Sequence, residues 1–179
     1  MEIKNKKIIL RSPTKGDIED LVEGLNNLNV SRTFGVVSYP YTKENASKWI
    51  DKDFKEIEKE KRENYRFAIE LKSESKLVGE IGINHIDYFN RGASMSYWLN
   101  EKYWNQGIAP EAMNLAIDFA FNKLKLRRLY LFVYDSNTNS NGLAKKLGFK
   151  LEGTLRKSHK SKATGEIFNS NCYGLLDSD

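Results

Sequence analysis

The sequence predicts one α+β domain, a layered α/β arrangement in which about four helices flank a mostly antiparallel sheet. Three observations carry that expectation. The chain has 179 residues, a single-domain length, with 40% apolar and 12% aromatic residues to fill one core. Apolar positions recur at helical spacing through the first third and switch to strand-like alternation at Tyr65. The strands that follow are separated by turns too short for parallel crossovers. Residues 1–179 therefore read as one domain without linker, repeat or low-complexity segment.

The elements follow in order. Lys7-Ile8-Ile9-Leu10-Arg11 is a strand stopped by Pro13, and Thr14 with Asp17 has the spacing of a capping box. Ile18, Leu21, Val22, Leu25 and Leu28 then keep one face of a helix. Thr42 caps a second helix with Ala46, Trp49, Ile50, Phe54 and Ile57 on its apolar side, and the charged Glu56–Arg62 stretch is its solvated end. Tyr65–Leu71, Leu77–Ile86 and Ala93–Leu99 form an antiparallel meander. Ala109–Leu124 holds helical period throughout, and Leu129–Tyr134 reads as a strand buried on both faces. A helix from about Asn139 to Leu147 ends at Gly148, and strands near Lys150–Lys157 and Glu166–Leu176 close the chain around Thr164-Gly165.

Composition excludes several classes of function. The longest apolar run, Leu129–Tyr134, is six residues, far short of a membrane span. The first residues carry charge but no apolar stretch of signal-peptide length, so the expected location is the cytoplasm. One cysteine, Cys172, and two histidines, His85 and His159, leave no disulfide and no metal site to expect. The net charge of +5 is diffuse, with no Lys/Arg run longer than two, so we expect a lysine-rich surface and no nucleic-acid partner.

The chemistry points to two loops. Tyr103-Trp104-Asn105-Gln106-Gly107-Ile108-Ala109-Pro110-Glu111 joins a strand to a helix. Gly107 permits close backbone approach there, and free N–H groups at a helix start suit a diphosphate. This is neither a Walker loop nor a dinucleotide fingerprint, because Gly107 is the single glycine present. Asn137 and Ser140 open the last helix, where both are also ordinary capping residues.

Together, Tyr97-Trp98-Leu99, the Tyr103-Trp104-x-x-Gly107-x-Ala109-x-Glu111-Ala112 run, and Asn137-x-x-Ser140-x-x-Leu143-x-x-Lys146-Leu147-Gly148-Phe149 resemble the GNAT acetyltransferase superfamily. The likeness is greatest to its ribosomal-protein N-terminal acetyltransferase branch, and it covers nearly the whole chain. It implies a mixed sheet splayed in the middle, with acetyl-CoA as co-substrate. It further implies diphosphate binding by the amides of Gln106, Gly107, Ile108 and Ala109. The backbone of Trp98 and Leu99 would pair with the pantetheine arm, facing a second wall at Phe132–Tyr134. Asn137 would contact the pantetheine, and Ser140 would donate to the departing thiolate. Ser140 substitutes for a tyrosine many relatives carry where this chain has Ala144. Lys145, Lys146 and Lys150 are either coenzyme-screening or simply surface lysines.

An alkyl ammonium must lose a proton before its nitrogen can attack a thioester. Relatives often carry a glutamate where this chain has Ser94, so the base is open among Glu80, His85, Asp87, Glu111 and water. Cys172, in a closing strand, is a core residue rather than a nucleophile. The expected reaction is direct acetyl transfer to a primary amine, foremost the α-amine of a protein or peptide. A small amine (polyamine or aminoglycoside) is the alternative acceptor, and a non-catalytic acyl-CoA-binding module the alternative class. The acceptor groove is expected between the Thr33–Pro40 loop and the basic Ser158–Glu166 turn, and a homodimer is compatible with the resemblance.

Overall fold

The computed structural model of the chain describes residues 2–179. Eight strands form one sheet: β1 (Glu2–Lys4), β2 (Ile8–Arg11), β3 (Tyr65–Leu71), β4 (Lys76–Asp87), β5 (Gly92–Leu99), β6 (Arg128–Tyr134), β7 (Lys150–Lys160) and β8 (Ile167–Leu176). Their order is β1-β2-β3-β4-β5-β6-β8-β7. Every neighbouring pair is antiparallel except β5–β6, which is parallel. That exception positions the site. The two strands pair only at Gly92↔Arg128, Ala93↔Leu129 and Ser94↔Tyr130. Beyond Ser94 they diverge, and the sheet opens between Tyr97–Leu99 on one side and Leu131–Tyr134 on the other.

Five α-helices cover the sheet in the described residues: α1 (Ile18–Leu25), α2 (Leu28–Phe34), α3 (Lys43–Ile57), α4 (Ile108–Asp118) and α5 (Thr138–Lys146). One core lies under α1–α3, with Leu21, Leu25, Val30, Ala46 and Ile50 packed on Ala68, Leu77 and Trp98. The larger core lies on the opposite face, where Ile108, Met113, Ala116 and Ala144 meet Phe67, Ile81, Ile83 and Met95. Strand alternation sorts the residues between these cores, since each successive side chain points to the other face.

The structure revises four local expectations. The helix expected through Leu28 ends at Leu25; Asn27 then caps a separate helix, its side chain accepting from Asn29 N–H, so Thr33 and Phe34 are helical. Gly35, at φ 72°, ends that helix as only glycine readily does. The α-helical part of α4 stops at Asp118 and a π-turn carries Phe119–Lys123. Strand β6 is not buried on both faces: Phe132 is 44% exposed, because beyond Tyr130 that face borders the opening. The short β1 adds an edge that three residues could not signal by periodicity.

At the other edge β7 extends to Lys160 with all eleven residues exposed. Register shifts near Gly153 and between Leu155 and His159, with Lys157 at φ 48°, twist that edge in the way that discourages strand addition. No helix among the described residues is long and apolar enough to cross a membrane.

Candidate active site

Two cavities approach the opening in the sheet from opposite layers. The first, about 870 Å³, lies under the start of α4 and is lined by Trp104, Gly107, Ile108, Ala109 and Pro110, with Lys146 and Arg32 as cations. Gly107 caps α4 at φ 76°, and a Cβ there would meet no protein atom within 4 Å. The glycine therefore serves its backbone angle and an open approach, not protein packing. Among the described residues no acceptor takes the N–H groups of Ile108 and Ala109. Pro110 has no N–H to leave unpaired, and Glu111 N–H returns to the Gly107 carbonyl. Two free donors at the positive end of a helix dipole, with nearby cations, are chemically suited to an anion.

The second cavity, about 620 Å³, lies under α3 and the Thr33–Val36 segment. Its floor shows why strand alternation matters. Arg66, Gly82 and Ser96 are opposed across β3, β4 and β5, and Glu80, Asn84 and Ser94 fall on the same face. Polar residues thus gather on one side while Phe67, Ile81, Ile83 and Met95 fill the other. Gly82 leaves a gap in this floor that a Cβ would close against Ser96 and Asn84. The wall is aromatic, with Phe34, Trp49, Phe132 and Tyr134, and the lining cations are Lys52, Arg66, Lys160 and Lys162. Glu80 is the lone carboxylate in that lining. It is buried, with both carboxylate oxygens 3.0 Å from the Trp49 indole N–H and one 3.4 Å from that of Trp98. Burial pushes its carboxyl up to about 7, against the opposing pull of the Trp49 hydrogen bonds and the Arg66 charge.

The cavities share Thr33, Phe34, Tyr97, Tyr134, Asn137 and Ser140, so these residues ring the place where they meet. Asn137 caps α5, its side-chain oxygen accepting from Ser140 N–H at 3.1 Å. Its amide nitrogen has no acceptor among the described residues, and Asn137 borders both cavities. Ser140 Oγ accepts from the Tyr97 hydroxyl at 2.9 Å. The start of α5 is clamped by Asn141, which donates to the carbonyls of Tyr134 and Asn137 and accepts from Asn171 and Tyr173.

The structure brings most of the expected residues to these cavities. Trp98, Leu99, Gly107, Ile108, Ala109, Asn137 and Ser140 line the first. The Trp98 side chain is core, seated on Gly24, and the Leu99 carbonyl is already taken by the Trp104 indole at 2.8 Å. Gln106 does not line the cavity: its side chain donates to the Lys102 carbonyl, and its own carbonyl accepts from Lys7. Lys146 lines the first cavity, whereas Lys150 pairs with Asp179. Of the candidate bases, Glu80 and His85 line the second cavity, His85 at an exposed bulge with φ 53°. Glu111 instead accepts from Asn5 at 2.8 Å, and Asp87 is held in its own turn by Asn90. Ala144 is buried in the core, and Cys172 lines neither cavity. Sequence reasoning missed Arg66, Tyr97 and Asn141. Tyr97 stands in the Tyr97-Trp98-Leu99 motif, but its pairing with Ser140 spans 43 positions and has no local signal.

The Thr33–Pro40 and Ser158–Glu166 segments meet across the second cavity. Lys162 N–H donates to the Gly35 carbonyl at 3.1 Å, and Arg32 faces Glu166 at 3.4 Å. Of the first segment, Val37 is buried in the core and Val36 is exposed at the cavity, so it both packs and lines.

The model of the acetyltransferase (GNAT) domain matches residues 7–150. The chain belongs to the GNAT acetyltransferase family. It is 28% identical over 174 residues to the uncharacterized N-acetyltransferase YoaA of Bacillus subtilis, covering 97% of this chain and 96% of that one. It is 35% identical over 85 residues to the ribosomal-protein-serine acetyltransferase of Escherichia coli, covering 48% of each. Over 106 residues it is 36% identical to the spermidine N(1)-acetyltransferase of the same species, covering 59% of this chain and 54% of that one. The fold matches that of the microcin C7 self-immunity acetyltransferase MccE, solved with acetyl-CoA and AMP, at TM-score 0.81 and 24% identity over 96% and 93% of the two chains. As a GNAT enzyme the chain is an acetyl-CoA-dependent N-acetyltransferase. The free amides at Ile108 and Ala109 and the open approach at Gly107 fit that co-substrate. Relatives named for a ribosomal-protein serine and for spermidine leave the class of acceptor open.

Proposed function

We propose that the enzyme acetylates the α-amine of a peptide or protein N-terminus, with acetyl-CoA in the first cavity and the acceptor in the second. The carrying observation is the meeting of the cavities at Tyr97, Asn137 and Ser140, with a buried carboxylate on the acceptor side alone. The α4 amides and Gly107 hold the diphosphate, and the diverging β5 backbone at Trp98 and Leu99 receives the pantetheine arm. Glu80 is the general base: a carboxylate near 7 accepts a proton readily and is still about half ionised at neutral pH. His85, at the exposed rim, is the less sheltered alternative. An α-amine, with a pKa of about 8, needs little help to lose that proton. The neutral nitrogen attacks the thioester carbon and Ser140 donates to the departing sulfur.

The acceptor ranking rests on charge. Lys52, Arg66, Lys160 and Lys162 line the second cavity against Glu80 alone, a field that disfavours a polycation. A peptide brings one ammonium, backbone groups for the polar floor, and often carboxylates. The test follows free-thiol release with acetyl-CoA and either short N-terminal peptides or spermidine. We expect higher kcat/KM on peptides. Preference for spermidine would reverse the ranking, and no thiol release with any amine would favour a binding module.

A further inference from the structure

We propose that Tyr97 is a positioning residue that aims the Ser140 proton into the active site, toward the departing sulfur. The proposal rests on the reading of Ser140 as the thiolate donor and assigns the partner that makes a serine fit for that task.

Alternation along β5 sets the geometry. Trp98 pairs with Glu80 and turns toward α1–α3, whereas Tyr97 pairs with Ile81 and turns toward the α4–α5 layer. There its hydroxyl donates to Ser140 Oγ at 2.9 Å. A serine hydroxyl has one proton and two lone pairs, so a phenol occupying one lone pair restricts where that proton points. A serine inside a helix ordinarily turns its proton back to the carbonyl three or four residues earlier. Both such acceptors are already engaged here. The Asn137 carbonyl receives the Asn141 backbone N–H at 3.0 Å and side-chain amide at 2.7 Å, and the Ser136 carbonyl receives Thr138 N–H at 3.1 Å. Among the described residues no other acceptor takes the Ser140 proton, and Ser140 borders both cavities. The open direction is the junction.

Burial holds the Tyr97 phenol above its ordinary pKa, so Tyr97 stays protonated and remains a donor throughout. It supplies orientation and no net proton. As the amine nitrogen bonds to the carbonyl carbon, the C–S bond breaks and its electron pair passes to sulfur. Ser140 O–H hydrogen-bonds to that developing charge and keeps its proton; Glu80 passes the amine's proton to solvent and the thiolate takes one back from solvent, so the step balances with Ser140 neutral. Phenylalanine at position 97 would keep the ring packing but free the Ser140 hydroxyl to rotate.

The experiment is a double-mutant cycle on kcat and on the KM for acetyl-CoA, using Tyr97→Phe, Ser140→Ala and the double variant, with thermal melts on each. We expect Ser140→Ala to lower kcat about a hundredfold, the low end for a positioned proton donor. Tyr97→Phe should lower kcat about tenfold with acetyl-CoA KM within about twofold, and the double variant should match Ser140→Ala alone. Unchanged kcat in Tyr97→Phe would overturn the proposal, as would a double variant showing the product of the two losses. Full activity in Ser140→Ala would instead remove the thiolate-donor reading on which it rests. A phenylalanine variant that lost stability but kept kcat would make the contact structural and overturn the proposal as well.

Discussion

On the proposed mechanism, single residues carry the proton traffic. Glu80 has been moved from an ordinary value of 4.5 to about 7 by burial. Its folded state therefore binds a proton more tightly than the unfolded chain, and this group costs stability as pH rises from about 4.5 to about 7. Replacing Glu80 with Gln should remove that penalty, ~3 kcal/mol at most above pH 7. The check is urea denaturation of parent and Glu80→Gln at pH 5 and pH 8, with the stability difference growing at the higher pH. The parent's kcat/KM should fall below about pH 7 as the base is protonated, and Glu80→Gln should lose that limb along with about a hundredfold in rate. A variant keeping both the limb and the rate would shift the base to water or His85. At the coenzyme end, Gly107→Asp places a carboxylate and a Cβ on a φ of 76° beside the free amides. Calorimetric titration should show acetyl-CoA binding at least about tenfold weaker, a loss of 1.4 kcal/mol or more. Unaltered affinity in a folded variant would move the diphosphate elsewhere.

At the scale of elements, α5 is held as a unit by Asn141, which joins it to β6 and β8 through three hydrogen bonds and donates a fourth to the helix's own cap residue, Asn137. Asn141→Ala should cost ~2–3 kcal/mol by leaving buried partners unpaired. It should also lower kcat more than the loss of folded protein explains, because Ser140 shifts with the helix; denaturant melts and rates at saturating acetyl-CoA measure the two effects. Asn141 also marks what the sequence conceals. The strands from Tyr65 to Leu99 and the start of α4 are legible because alternation and a glycine before a helix are local signals. The resemblance names Asn137, Ser140 and Gly107, three residues that the fold gathers at one cavity. Helix α2 was not legible, since Leu28 continues the α1 period and two asparagines interrupt it without a proline or glycine. The contacts of Tyr97 with Ser140 and of Asn141 with Tyr173 join distant segments, so no spacing rule could express them. The polar floor lay within ordinary strand alternation, whose polar side would equally face solvent until α3 is seen above it.

Over the whole molecule, the parallel β5–β6 pair is the organising feature, because its divergence after Ser94 lets cavities from two layers meet. The charge there is uneven: Lys160 and Lys162 stand on the closing hairpin at the second cavity. Reversing both to Glu should raise kcat/KM for spermidine several-fold and lower it for an acidic peptide, with both changes shrinking at higher salt. Steady-state rates at low and moderate ionic strength check this, and no change for either acceptor would remove the rim from the account. On the proposed mechanism acetyl passes directly from coenzyme to amine across the junction, with no acetylated enzyme between. Initial velocities measured with acetyl-CoA and peptide varied together test it most directly. Direct transfer gives intersecting double-reciprocal lines, because both cavities must be filled at once, and an unchanged protein mass after incubation with acetyl-CoA alone. Parallel lines with a stable acetyl adduct on the protein would contradict it.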